Sequence, residues 1–235
     1  MKDCILFGNG KSLENFDFKK INRDMYDIIG FCLAFRYWDK IDWYPDIYVC
    51  VDTVVLNNND LVEWLIKDKC KKYLLSNCIL KNDKLAKGIN MSKVVFIEDL
   101  VRNNNSAFHG INVWCSGSSG LLFSVDCKYK NINLFGFDCD YVEFIPESHR
   151  SGRTLIITKT PEYNPNYFFN DYQRKSDKYN IPHGKVVHLK SWANCSEIIK
   201  NLNKDQINYM IKNYNSKKSI SDYFKTYPID EFEQV

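Results

Sequence analysis

The sequence predicts an α/β fold in which a mostly parallel sheet is flanked by helices. Short apolar runs, many of them β-branched or aromatic, recur along the chain between polar and helix-periodic segments. Such runs are typical of parallel strands, which are buried on both faces. The chain has 235 residues, a length that suits one domain with a full core. We therefore predict a single domain over residues 1–235.

The amino-terminal segment predicts a strand, a glycine turn and a helix. An apolar run is followed by Gly8, Asn9 and Gly10 as the turn and by Ser12 as the N-cap of the helix. Glycines that admit a backbone close to a ligand, together with free N–H groups at a helix N-terminus, bind anions. The spacing matches neither a P-loop nor the dinucleotide-binding fingerprint. A phosphate-binding turn and a tight turn without a ligand both remain open.

Further elements follow along the first half of the chain. Strands are predicted at residues 26–31, 47–51 and 94–97, and the spacing of apolar residues predicts a helix over 60–74. Asp52 directly follows one of these strands. A carboxylate at the carboxyl end of a parallel strand lies at the edge where open α/β sheets bind ligands. Asp52 therefore suits either a ligand contact or the cap of the next turn.

A second turn of small residues lies in the middle of the chain. Ser118, Ser119 and Gly120 open a predicted helix, whose N-terminus and hydroxyls suit a sugar or a carboxylate. The next predicted strand covers residues 132–137 and ends at Asp138. This carboxylate suits either Mg²⁺ binding or the cap of a turn. Two such turns make a ligand cavity more credible than one.

The last third begins with a long segment without a clear element. Residues 140–184 are rich in aromatic and amide side chains, and their length favours a lid or an insertion. A strand over 185–189 is predicted next, with His188 near its carboxyl end, and then helices over 195–203 and 204–214. Histidine is the usual general base for a hydroxyl nucleophile. A hydrogen-bonded histidine beneath the surface is the alternative.

Composition excludes several classes of function. The formal charge of +3 comes from 32 basic and 29 acidic residues that are interleaved, which does not favour a nucleic-acid surface. Nine scattered cysteines without a Cys-x-x-Cys pair suggest reduced, buried thiols, and no His/Cys cluster predicts a metal. The first predicted strand lies at the start of the printed sequence, and we expect neither a leader nor a membrane-spanning segment. We expect a cytoplasmic protein and leave room for contact with the inner membrane face and for a homo-oligomer.

Three motifs and a histidine carry a resemblance to a known family. Gly-Asn-Gly-Lys-Ser at residues 8–12, Ser-Ser-Gly at 118–120, Gly-Phe-Asp at 136–138 and the late His188 resemble the bacterial lipooligosaccharide sialyltransferases of glycosyltransferase family 42. The resemblance covers about residues 1–203. It implies a single Rossmann-like domain with a lid over 140–184, a CMP-sialic acid donor and no cofactor. It also implies inverting, metal-independent transfer to a glycan or glycolipid acceptor.

The resemblance also implies roles for individual residues. His188 would be the general base, and two lid tyrosines would stabilise the departing phosphate, a role that fixed hydroxyl donors can fill without a metal. The residues expected to bind the donor are Gly8, Asn9, Gly10, Ser12, Asp52, Ser118, Ser119, Gly120, Asp138, Tyr167 and Tyr172.

The chain departs from the family at two places. The family has an arginine just before its serine motif, where this chain has Trp-Cys-Ser at residues 114–116. The family also has an asparagine near the end of its second strand, where this chain has Gly-Phe-Cys at residues 30–32. Residues 45–52 are also similar to the hydroxymethyl-dihydropterin pyrophosphokinases, in which an aspartate at this place binds nucleotide or metal. A Mg²⁺-dependent pyrophosphokinase using Asp52 is therefore one alternative. A nucleotide-binding module without catalysis is the other.

Overall fold

Eleven strands and six α-helices build the part of the chain that the structure describes. The computed structural model describes residues 2–103, 105–142, 144–180, 184–204, 208–215 and 220–232. The strands are β1 (Asp3–Phe7), β2 (Tyr26–Phe31), β3 (Ile47–Cys50), β4 (Lys72–Leu75), β5 (Val94–Phe96), β6 (Asn131–Phe135), β7 (Ser148–Ser151), β8 (Thr154–Ile157), β9 (Lys178–Asn180), β10 (Met210–Tyr214) and β11 (Thr226–Tyr227). The helices are α1 (Phe35–Ile41), α2 (Asn59–Ile66), α3 (Asp83–Gly88), α4 (Ile97–Arg102), α5 (Ser116–Asp126) and α6 (Gly184–Lys204).

Eight of the strands form one parallel sheet. Their order is β11-β10-β6-β1-β2-β3-β4-β5. The chain builds the sheet outward from β1 to β5 and then crosses back to place β6 on the other side of β1. The order of strands therefore reverses between β1 and β6, and open α/β sheets bind ligands outside the carboxyl ends of the strands at this switch point. The predicted α/β fold is confirmed.

Alternate side chains of the central strands pack into two apolar cores, one on each face of the sheet. On β1, Ile5 and Phe7 belong to one core, whereas Cys4 and Leu6 belong to the other. All four are at most 1% exposed. Complete burial of an aliphatic side chain contributes about 1.5–3 kcal/mol, so these strands form a firm base for the loops at their carboxyl ends.

The segment 140–184 is more regular than the sequence predicts. It contains a three-stranded antiparallel sheet in the order β7-β8-β9. The segment also contacts the first glycine turn, because Gly10 forms a β-bridge with Tyr167 and the Phe168 N–H donates to the Asn9 carbonyl at 3.3 Å. Its predicted function as a lid remains a prediction.

Two predictions near the functional residues are wrong. The glycine turn leads into a single 3-10 turn, Lys11–Leu13, and Gly10 rather than Ser12 occupies the N-cap position. The predicted strand over 185–189 is instead the first part of α6. A short apolar run such as Val-Val-His-Leu fits a buried strand and a helix equally well, and periodicity alone does not separate them.

Two other predicted helices also differ from the structure. The predicted helix over 60–74 ends at Ile66, because Asp68 adopts a left-handed conformation with φ of 53° and the chain then enters β4. The predicted helix over 204–214 is wrong for residues 210–214, which form β10 and pair with β6 along the sheet. Residues 205–207 of that prediction lie outside the described residues. No described helix is both long and apolar enough to cross a bilayer.

Candidate active site

A cavity of about 420 Å³ lies at the switch point of the sheet. Its volume falls in the range of small-molecule sites, and its place at the carboxyl ends of the strands is where ligands bind in open α/β folds. Its walls come from the first glycine turn, the start of α5, the start of α6 and the segment 140–184. The lining residues that the sequence analysis selected are Gly8, Asn9, Asp52, Tyr167, Tyr172 and His188.

The first glycine turn is joined backbone to backbone to the end of β6 at the base of the cavity. The N–H of Gly8 donates to the Phe135 carbonyl at 2.7 Å, and that of Gly10 donates to the Gly136 carbonyl at 2.8 Å. A Cβ on Gly8 would collide with the carbonyl of Gly136. Glycine is required at position 8 because the two main chains approach so closely. The N–H groups of Gly8 and Gly10 are thus engaged within the fold, and phosphate binding by this turn remains a prediction.

Asn9 connects the turn to the segment 140–184. Its Nδ2 donates to the Phe31 carbonyl at 3.2 Å and to the Tyr172 hydroxyl at 3.0 Å. Its Oδ1 is buried and has no hydrogen-bond partner among the described residues. A buried acceptor without a donor costs about 1–3 kcal/mol, so a ligand that donates to this oxygen would gain affinity.

Tyr167 and Tyr172 form an aromatic wall of the cavity. Their rings stack with centroids 3.7 Å apart and an angle of 13° between planes. Burial raises the pKa of both phenols, so both remain protonated and able to donate a hydrogen bond at neutral pH. The Tyr172 hydroxyl accepts hydrogen bonds from Asn9 Nδ2 and from the Leu33 N–H at 3.4 Å. The first glycine turn thereby positions the second tyrosine.

Asp138, Ser12 and Gly10 form a brace beside the cavity. The buried carboxylate of Asp138 accepts from the Ser12 N–H at 2.9 Å, from the Ser12 hydroxyl at 2.5 Å and from Asn215 Nδ2 at 3.1 Å. A Cβ on Gly10 would collide with this carboxylate. Asp138 therefore joins the first turn to the segment after β10, while the cavity is lined by Gly8 and Asn9.

The serine motif lies inside α5 and faces the core. The Ser118 hydroxyl donates to the Cys115 carbonyl at 3.2 Å and bonds the Ser191 hydroxyl. Ser119 is fully buried, and Gly120 leaves room for the ring of Phe31. The helix begins at Ser116, so the cavity is lined by Cys115 to Gly117 and not by these three residues. Their predicted contact with a donor remains a prediction.

Asp52 both lines the cavity and caps a turn. Its Oδ1 accepts from the N–H groups of Val54 at 2.8 Å and Val55 at 3.2 Å. It also accepts from Asn180 Nδ2 at 3.2 Å, which links the end of β3 to the end of β9. The capping alternative is therefore observed, and any ligand contact of Asp52 remains a prediction.

His188 is paired with a cysteine that sequence reasoning did not select. Its half-buried ring lies on α6, 5.3 Å from the ring of Tyr141, and it lines the same cavity as Cys115. Burial acts to lower the pKa of His188, but its interaction with Cys115 and the negative charges of Cys115 and Asp52 raise it above the ordinary value. Burial acts to raise the pKa of Cys115, but His188 and the bonds from Ser118 bring it down to about 6.

The lowered pKa of Cys115 and the raised pKa of His188 both favour a thiolate–imidazolium pair over a neutral thiol and imidazole. The two residues lie 73 positions apart, 188 − 115, and no spacing motif connects them. The one available signal was the position of Cys115 just before the small-residue turn that opens a predicted helix, and the pKa of a thiol at a helix N-terminus is lowered. Within the described ranges, no group of three or more His, Cys, Asp or Glu side chains could hold a metal ion.

A parallel sheet with a ligand-sized cavity at its switch point defines a Rossmann-like α/β domain. Its fold is similar to that of the monofunctional α-2,3-sialyltransferase Cst-I from Campylobacter jejuni, with a TM-score of 0.55, 19% identity, and coverage of 96% of this chain and 80% of that one. It is also similar to a variant of the sialyltransferase Cst-II in complex with CMP, with a TM-score of 0.53, 14% identity, and coverage of 99% and 89%.

The sequence alone matches neither a protein-family model nor a curated protein. The resemblance to the bacterial sialyltransferases is thus confirmed at the level of the fold.

Proposed function

We propose that this protein is a sialyltransferase-like glycosyltransferase that moves a sugar from a CMP-activated donor to a hydroxyl of a glycan or glycolipid. The observation that carries the proposal is the cavity itself. It brings Asn9, the stacked Tyr167 and Tyr172, and His188 to the switch point of the sheet. The fold shared with two sialyltransferases, one of which was crystallised with CMP, supports the same conclusion.

Donor binding would use the polar and aromatic groups beside the first glycine turn. The unpartnered Oδ1 of Asn9 would accept a hydrogen bond from a ribose hydroxyl or a base amino group. As the bond between the sugar and the phosphate breaks, negative charge grows on CMP. The protonated hydroxyls of Tyr167 and Tyr172 line the same cavity and would stabilise that charge without reorganisation.

His188 would take the proton from the acceptor hydroxyl. The hydroxyl oxygen then attacks the anomeric carbon of the donor while CMP leaves on the opposite face, which inverts the configuration. A general base must be deprotonated before it acts, and the Cys115 thiolate raises the pKa of His188. Activity would therefore fall, as the pH decreases, at a higher pH than for an ordinary histidine.

The pyrophosphokinase alternative has less support from the geometry. Its expected aspartate, Asp52, accepts three hydrogen bonds through Oδ1 from the following turn and from Asn180. Asp138 likewise accepts from Ser12 and Asn215. Both carboxylates accept hydrogen bonds that hold parts of the fold together. A Mg²⁺ site instead needs carboxylate oxygens that are free to bind the ion.

A thermal-shift panel of CMP, UDP, GDP and ATP, each with and without Mg²⁺, tests this proposal. Ligand at 100 times its Kd stabilises the native state by about 2.7 kcal/mol. For a chain of this size that corresponds to a rise in Tm of about 5–10 °C. We expect this rise with CMP in the absence of Mg²⁺. A rise with ATP and Mg²⁺ alone would favour the pyrophosphokinase, and no rise with CMP would contradict the proposal.

The catalytic part of the proposal needs a second measurement. Transfer from a CMP-sugar donor should be lost in a His188→Ala variant that still shows the CMP shift. Equal transfer by wild type and variant would exclude His188 as the base. A protein that binds CMP without turnover toward any glycan acceptor would favour the binding module.

A further inference from the structure

Cys115 and His188 meet in the cavity from two different helices. Cys115 is the N-cap of the 11-residue α5, and His188 is in the second turn of α6. The Cys115 sulfur accepts the backbone N–H of Ser118 and lies 3.5 Å from the Ser118 hydroxyl. The positive end of a helix, an N–H donor and an imidazole in the same cavity all favour a thiolate over a thiol.

The other titratable groups near this pair leave its charges in place. Asp52 acts on His188 and favours the imidazolium. Burial raises the pKa of Cys139, Cys195 and Tyr141, so these neighbours stay neutral at pH 7. Cys32 lines the same cavity and contacts the Ser116 hydroxyl through its sulfur at 3.4 Å. Cys115 is therefore distinguished from the surrounding thiols by its charged partner.

We propose that Cys115 is a modification site in the cavity, a thiolate paired with His188 that reacts with soft electrophiles, including hydroperoxides. With a hydroperoxide, the sulfur attacks the terminal oxygen, an S–O bond forms and the O–O bond breaks. The sulfur is oxidised by two electrons to a sulfenic acid and the peroxide is reduced. The imidazolium of His188 supplies a proton to the departing alkoxide, which leaves as an alcohol.

Modification would change the site that the sulfur lines. Cys115 shares the cavity with Asn9, Tyr172 and His188. An added group would occupy ligand space, and loss of the thiolate would remove the charge that raises the pKa of His188. The reactivity itself does not depend on the proposed transferase function, because it belongs to the ligand-free protein.

The test is the pH dependence of iodoacetamide alkylation, followed by mass spectrometry of each cysteine peptide in the folded full-length protein. Cys78 and Cys127 are internal controls, since both are partly exposed and burial raises the pKa of each. The thiolate form of Cys115 is retained above its lowered pKa and lost as the pH falls through it. The rate at Cys115 should therefore have its midpoint near pH 6, whereas the control rates should still be rising at pH 9.

A His188→Gln variant removes the charged partner while keeping a polar side chain. Its Cys115 midpoint should move up toward the ordinary thiol value, and the rate at pH 6 should fall on the order of tenfold once lower nucleophilicity of the low-pKa thiolate is included. A wild-type midpoint at or above pH 8.5 would overturn the proposal, whether or not the variant folds. So would a midpoint near pH 6 that the substitution leaves unmoved.

A second arm uses hydrogen peroxide and then dimedone, which traps sulfenic acid. Labelling should concentrate on the Cys115 peptide and fall in His188→Gln. Labelling of Cys78 and Cys127 to the same extent would overturn the assignment of Cys115 as the peroxide-reactive thiol.

Discussion

Asn9 illustrates how one side chain serves both the fold and the site. Its amide nitrogen holds the Phe31 carbonyl and the Tyr172 hydroxyl, while its amide oxygen is left without a partner among the described residues. An amide offers both a donor and an acceptor, so Asn9 can hold the aromatic wall in place and still accept a hydrogen bond from a ligand. A carboxylate at this position would lose the donor, and an aliphatic residue would lose both groups.

At the residue scale, Asn9→Ala should weaken CMP binding by about tenfold, because one net hydrogen bond contributes about 1 kcal/mol and Tyr172 also loses its donor. Calorimetric titration measures the effect. Asn22→Ala is the matched control, since Asn22 is exposed and precedes the amino end of β2, at the opposite edge of the sheet. Equal affinity of Asn9→Ala and wild type would remove Asn9 from the proposed site.

At the element scale, a buried arginine ties α1 to the segment before β9. Arg36 is 3% exposed and donates to both Asp177 oxygens, at 2.5 and 3.0 Å, and to the Tyr172 carbonyl at 2.6 Å. It also pairs with Asp60 of α2 at 2.8 Å. These bonds hold the backbone of Tyr172 against the helix that follows β2. The aromatic wall of the cavity is therefore positioned by an ion-pair network that lies outside it.

Two substitutions on α1 separate a buried ion pair from an exposed one. Arg36→Met should lower the free energy of unfolding by about 3–5 kcal/mol, because Asp177 would remain buried and uncompensated. Lys40→Met breaks the Lys40–Asp171 pair, whose side chains are 50% and 30% exposed, and should cost less than about 1 kcal/mol. Urea denaturation compares the two. Similar costs would show that Arg36 does not carry a buried charge network.

At the scale of the whole molecule, the carboxyl-terminal residues complete the sheet that the first residues begin. Strand β10 pairs with β6, and the ring of Tyr214 stacks on Phe135 at 5.0 Å with an angle of 14°. Phe232 contacts Tyr26, Phe135 and Tyr214 at 5.7, 5.0 and 5.1 Å between centroids. Ends of the chain more than 200 residues apart thus share one core, which makes unfolding cooperative.

Phe232→Ala should accordingly destabilise the entire domain by about 2 kcal/mol, less than a fully buried Phe→Ala change because Phe232 is partly exposed. Thermal and chemical unfolding should remain a single transition that shifts as a unit. Phe144→Ala serves as the control, since Phe144 is 52% exposed and its loss should change stability by less than about 0.5 kcal/mol. An unshifted transition in Phe232→Ala would show that the tail does not belong to the cooperative core.

Local sequence pattern was sufficient to predict strands of the parallel sheet in the first half of the chain. It was insufficient to predict the elements of the last third. Predicted residues 26–31 match β2, and the runs at 47–51 and 94–97 overlap β3 and β5, because strands buried on both faces are continuously apolar. His188 was correctly selected as a cavity residue, yet on the wrong element. The run Val-Val-His-Leu is too short to show a period that distinguishes a strand from a helix.

The order of apolar runs predicted the α/β class from sequence alone, and the motifs together with the family resemblance selected six of the residues that line the cavity. These features depend on local periodicity and on backbone geometry at single positions. The tertiary structure alone decided that Asp138 braces the turn, that residues 118–120 face the core, and that Cys115 meets His188. Hydrogen bonds and charge pairs between distant segments form only where the sheet brings those segments together. A local sequence pattern contains no information on which distant segments become neighbours.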